Sequence, residues 1–306
     1  MGRGTERLST MGGGAALPAL AVVACAVLWG LWWLPLRWLA ERGLPGDWAS
    51  LAIFAIGAGV LLPVAWVRRR RLYAGGWTLL LCGLLFGVVL VLWNHAVLVG
   101  QVMRVVLLFY LAPVWATLLA IFVLKTRVGP LRALTVILGL TGAAIILGVE
   151  EGLPLPRSEG DWLGLISGLL FAVSATLARD SEEVAGLEKT FVAFVAATLT
   201  AFLLIAFGAS PPATGRLVLE GLPLAFVIAV FFVLPATWPV LWAASKLEPG
   251  RVSILLLLEV VVASISSSLL TDEPFGWREG AGCVLIILAG VTEALPELRA
   301  RRVKEP

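Results

Sequence analysis

Ten stretches of this chain are apolar for the length of a bilayer core, roughly 17–25 residues each. They lie near 17–39, 48–67, 77–99, 102–124, 131–148, 162–178, 190–207, 222–244, 252–270 and 276–294. Their apolar character is continuous, whereas a membrane β-barrel alternates apolar and polar residues over about ten positions. Helices are therefore expected. Hydrophobic residues make up 60% of the chain, charged residues 14%, and mean hydropathy is +0.98. Soluble domains carry about 25% charge, so no water-soluble fold could bury this excess. The expected fold class is all-α, a polytopic membrane protein of ten transmembrane helices. The first run is long and has no clear small-residue cleavage site, so it belongs to the mature chain rather than to a signal peptide.

Orientation follows from the basic residues. With the N-terminus placed in the cytoplasm, 17 of the 23 Lys and Arg fall on the cytoplasmic side. The six left outside are Arg37, Arg42, Arg104, Arg157, Arg216 and Arg278. That bias obeys the positive-inside rule and predicts cytoplasmic N- and C-termini in the inner membrane. Asp180, Glu182, Glu183 and Glu188 make the connection after the sixth segment acidic, but acidic residues weigh little in that rule. The net charge of +3 thus suits anionic lipid and gives no reason to expect nucleic acid.

Two phrases repeat. Residues 104–129 read RVVLLFYLAPVWATLLAIFVLKTRVG and residues 251–276 read RVSILLLLEVVVASISSSLLTDEPFG. Seven of their 26 aligned positions are identical, and both open on Arg-Val, run apolar, break into charge and close on Gly. LWGLWWLPLRWLAERG at 28–43 aligns likewise with LFAVSATLARDSEEVA at 170–185. Five segments precede the 150–161 connection and five follow it. An odd number of crossings per unit turns the second copy upside down. The chain is therefore expected to divide into a five-helix repeat at 1–150 and its inverted copy at 151–306, an architecture that recurs in secondary transporters.

The stretches LWGLWWLPLRW, YLAPVWATLLAIFVLKT and RVSILLLLEVVVASISSSLLTDEPF resemble the drug/metabolite transporter superfamily, in particular EamA-type transporters and the YddG-like amino-acid exporters among them. The resemblance implies a basket of ten helices. Helices three, four, eight and nine, with one and six, would line a central cavity, and five and ten would lie at the periphery. It also implies export of small organic metabolites, amino acids including aromatic ones. A carrier of hydrophobic cations or a lipid flippase is the alternative on the same fold. One departure stands out: many relatives end the fourth helix on a Gly-Glu-type step, where this chain has Lys125-Thr126, while the ninth keeps the acidic pair Asp272-Glu273.

Polar groups inside the spans nominate the substrate site. Glu259 is the carboxylate placed mid-span in the ninth helix. It suits an amine-binding or proton-carrying role, or a hydrogen bond to a neighbouring helix. Asn94 and the sole histidine, His95, end the third helix, and either bridge helices or contact substrate. Trp33, Tyr110, Trp238 and Trp242 supply aromatic walls, Pro113 a freed backbone carbonyl, and Ser174 a hydroxyl. Gly83/Gly87, Gly164/Gly168 and Gly276/Gly280 have helix-packing spacing, the last also suiting a homodimer contact. Arg104 and Arg251 begin their helices, where phosphate headgroups would offset the cost of a cation at that end.

An enzyme is not expected, because the chain has no nucleophile–base pair and no HExxH. Cys25, Cys82 and Cys283 lie within spans without CxxC spacing, so neither a disulfide nor a metal site is expected. No P-loop is present to bind nucleotide, and no cofactor is expected.

Overall fold

The computed structural model describes residues 16–302 apart from 43, 45, 124, 126–128, 148–154, 181–185, 211 and 271–274. It describes all side chains among them but those of 40, 103, 180 and 294–302. Thr126, Glu182, Glu183 and the pair Asp272-Glu273 lie outside the described residues. Nine helices among those described are long and apolar enough to cross a bilayer: Ala16–Leu39, Gly46–Val67, Gly76–Val99, Arg104–Phe122, Pro130–Leu147, Glu159–Arg179, Gly186–Ala206, Gly215–Ala244 and Pro249–Leu270. The helix Trp277–Arg302 follows as the tenth span. The connections are short, so successive spans run antiparallel. The end at which the first span begins is here the near end, and the opposite one the far end.

Several spans start earlier than their apolar runs, because a first helical turn tolerates carboxylates, whose charge favours the positive end of the helix dipole. Glu159 and Asp161 open the sixth span in this way, and Glu188 opens the seventh.

The packing has the symmetry of an inverted repeat. The first span lies against the eighth and ninth, and the sixth against the third and fourth. The second lies against the seventh and eighth, and the seventh against the second and third. Fourth meets ninth, and fifth meets tenth. Exchanging every span with the one five later reproduces each of these pairings. The fifth and tenth cross through glycines: a Cβ on Gly142 would lie 2.7 Å from the Gly282 carbonyl, and one on Gly282 would lie 2.6 Å from that of Gly142. Gly164 and Gly168 let the sixth span rest on the Val105 and Phe109 carbonyls in the same manner. Gly276 and Gly280 do not pack this way; their nearest neighbours are the local Glu279 and Phe275.

Three spans break, two of them for a visible reason. Pro113 has no N–H for the Phe109 carbonyl, so the fourth span divides into Val102–Phe109 and Ala112–Phe122. Pro35 likewise cannot bond the Leu31 carbonyl, which takes Leu34 N at 3.1 Å instead, and the first span bends between Gly30 and Trp33. The ninth span divides at Leu257 into Pro249–Leu256 and Leu258–Leu270. No proline explains that break, yet its position is the repeat counterpart of Tyr110.

Candidate substrate site

The breaks of the fourth and ninth spans meet at mid-depth. At 1.5 Å per residue, Glu259 lies about 15 Å along its span from Pro249. Its Oε1 accepts a 2.7 Å hydrogen bond from the Tyr110 hydroxyl, 149 residues away in sequence. Tyr110 is 7% exposed and Glu259 is half-buried. Around them close Val106, Leu257, Val260, Val261 and Ile286. A carboxylate in such surroundings is costly unless hydrogen-bonded or neutralised, and its recorded hydrogen-bond partner is a neutral phenol. The repeat counterpart of Glu259 is Ala112, so the charge sits on one side of a nearly two-fold scaffold.

Aromatic rings flank this pair. Phe109 stacks edge-on against Tyr110 at 5.7 Å and against Trp93 at 6.3 Å, and meets Phe171 at 6.1 Å. A second group joins the first and eighth spans, with Trp32 5.6 Å from Trp29 and 5.7 Å from Phe232. In the eighth span a π-helical turn, Ala229–Val233, precedes Pro235 and Pro239. Pro239 leaves the Pro235 carbonyl without its helical donor; the Cys25 thiol lies 3.7 Å away to donate, and Trp29 Nε1 donates to Ala236 O at 3.1 Å.

The other nominated residues divide between this region and structural roles. Trp33 donates to Ser266 Oγ at 3.1 Å, holding the first span to the ninth. Asn94 accepts from Trp32 Nε1 at 3.3 Å and donates to Ser50 Oγ at 3.1 Å. His95 Nδ1 lies 2.8 Å from Asp47 Oδ2, both buried. Ser174 donates to the Cys82 carbonyl at 2.8 Å, joining the sixth and third spans. The Pro113 carbonyl accepts from Thr117 at 2.7 Å. Trp238 is 42% exposed, and Trp242 is half-buried with its Cα and Cβ against Gly186. Arg104 does not turn to headgroups. It donates to Asp161 Oδ2 at 3.0 Å and to the Leu155 carbonyl at 2.7 Å, closing the far end between the repeats.

Sequence reasoning missed the polar groups that fasten the ends of the second and seventh spans. At the far end, Gly208 adopts φ +78. Gly208 N bonds Ile205 O and Ala209 N bonds Leu204 O, which is a Schellman cap. This cap delivers Ser210 to donate to Asp47. At the near end, Arg68 follows the second span and meets Glu188 at 3.5 Å. Midway, Gly57 and Phe54 pack on Phe194. The near-end Lys189, which stands just before the apolar run at 190–207, is fully buried. Its ammonium donates to Ala178 O at 2.8 Å and Ser245 Oγ at 2.5 Å, capping the C-terminal ends of the sixth and eighth spans.

The sequence profile of the EamA-like transporter family matches residues 16–148 and again 158–292. None of the curated proteins matches the chain. A solved crystal structure superposes with a TM-score of 0.69 at 19% identity, covering 95% of this chain and 99% of that one; at that identity it speaks for the fold alone.

Proposed function

Since the chain belongs to the EamA-like transporter family, we propose that it exports small organic metabolites, amino acids including aromatic ones, by alternating access between its two halves. The carrying observation is the Tyr110–Glu259 pair, set where two related spans break and flanked by aromatic rings. The carboxylate accepts the substrate ammonium, and the rings of Phe109 and Trp93 face its apolar part. Two halves that can exchange roles offer the site to either face at similar free energy. The test is flux of labelled amino acids into liposomes holding only this protein. Saturable uptake supports the reading, and no flux of any amino acid overturns it. A second reading, a carrier of organic cations, is favoured by the same neutral partner of Glu259: its carboxylate is held by a phenol hydroxyl among the described residues and suits a cationic guest. Parallel flux of a quaternary ammonium separates the two.

The near end faces the cytoplasm of an inner membrane, on the strength of the Lys and Arg bias. Cys25, Cys82 and Cys283 are all buried, so an introduced cysteine labels against a low background. In intact cells an impermeant maleimide is expected to label Ser158→Cys at the far end and to spare Lys246→Cys at the near end. The reverse pattern would invert the orientation.

A further inference from the structure

The connection between the second and third spans carries more positive charge than anchoring one loop requires. Arg68, Arg69, Arg70 and Arg71 follow one another, and a six-residue helix, Arg69–Ala74, leads on to Gly76. The side chains of Arg69, Arg70 and Arg71 are exposed. So are Trp66 at 69%, Tyr73 at 82% and Trp77 at 73%, ring types that favour the headgroup layer. Arg69 donates to the Trp66 carbonyl at 3.2 Å and lies 5.4 Å from the centre of its ring. The neighbouring Arg70 and Arg71 side chains stay exposed beside them.

Arg68 differs from the other three. Its side chain is 37% exposed and reaches the Glu188 carboxylate, which is 1% exposed. Their separation of 3.5 Å is long for a charged hydrogen bond, and both Glu188 oxygens are buried without a hydrogen-bond partner. Between the second and seventh spans the two residues head a small surface groove whose walls include Leu61, Val64, Leu187 and Phe191. A charged head above apolar walls matches an amphiphile, and four arginines select an anionic one.

We infer that this connection is a binding site for an anionic phospholipid, and that the lipid phosphate competes with Glu188 for Arg68. The two spans belong to opposite repeats, so occupancy loosens their near-end fastening. The far-end fastening, Ser210 to Asp47, has no arginine and is untouched by the lipid. Anionic lipid therefore biases the carrier toward opening at the near end. The inference does not depend on which substrate is carried.

The full chain in nanodiscs tests it, since both faces are then accessible. Spin-labelled phosphatidylglycerol is expected to associate several-fold more strongly than spin-labelled phosphatidylcholine. The triple variant Arg69→Gln, Arg70→Gln, Arg71→Gln should abolish that preference. A cysteine at Leu187 reports the groove: its maleimide labelling rate should rise about fivefold when phosphatidylglycerol replaces part of the phosphatidylcholine. Arg68→Gln should give the raised rate in phosphatidylcholine alone. A triple variant that keeps the lipid preference overturns the site. Lipid binding with no change at Leu187→Cys overturns the competition. Inorganic phosphate in phosphatidylcholine discs that reproduces the full rise overturns the lipid as occupant.

Discussion

Replacing Glu259 with Gln should lower amino-acid flux in proteoliposomes about 100-fold while leaving the protein folded. The side chain keeps its shape, and the amide oxygen can still accept from Tyr110, so the junction of the fourth and ninth spans survives. What disappears is the negative charge. Leaving a buried ammonium without its carboxylate costs roughly 2–5 kcal/mol, and about 1.4 kcal/mol is a factor of ten; two decades, about 2.8 kcal/mol, lies within that range. Tyr110→Phe should cost about tenfold, because a hydrogen bond to a charged group is worth roughly 1.5–3 kcal/mol and the carboxylate itself remains. Initial rates of labelled uptake, with melting temperature in detergent as the check on folding, decide the matter. Flux within twofold of the parent for Glu259→Gln removes the carboxylate from the site. A loss confined to quaternary ammonium substrates would transfer the site to organic cations.

The fold was largely legible because one property, unbroken apolar length, dictates it. Lipid offers backbone groups no partner, so each long apolar run must become a helix, and all ten runs did so. The repeat could be read from shared punctuation, and the exchange symmetry of the packing agrees with it. The site was half legible. Glu259 was singled out as a carboxylate among apolar neighbours and Tyr110 as an aromatic wall, but their pairing joins residues 149 apart and exists only once the fourth and ninth spans cross. The fastening roles of Asp47, Glu188 and Lys189 escaped notice for a different reason. Each stands at the start of an apolar run, where a charge reads as the last residue of a loop. In the folded chain those first turns are enclosed by neighbouring spans, and the charges become fastenings. A signal was present: Glu188-Lys189 sits directly against TFVAFVAATLTAF with no Gly or Pro between. A charge pair so joined to a span belongs to its first helical turn.

The largest effect on stability should come from a single methyl group or two at the crossing of the third and seventh spans. Gly87 faces the Ala193 carbonyl there so closely that any Cβ would enter the oxygen, and it would also lie 2.8 Å from Ala196 Cβ and from Ala197 N. A Cβ on Gly83, one turn away, would lie 2.6 Å from Val192 Cβ. The obstacles at Gly87 are mainly backbone atoms of a regular helix, which cannot rotate aside as a side chain would. The spans must separate instead, and the contacts along both are lost together. Overpacking costs roughly 1–3 kcal/mol where side chains can adjust, so Gly87→Val should reach or exceed the upper figure and lower the melting temperature by about 10 °C. Gly59 supplies the comparison. It lies in the second span with nothing within 4 Å of a Cβ, and Gly59→Ala should leave the melting temperature unchanged or raise it, since Ala favours a helix over Gly by about 1 kcal/mol. If Gly87→Ala and Gly59→Ala melt together, the third and seventh spans do not meet this closely. The repeats would then have to be held by their other crossings, such as that of the fifth and tenth spans through Gly142 and Gly282.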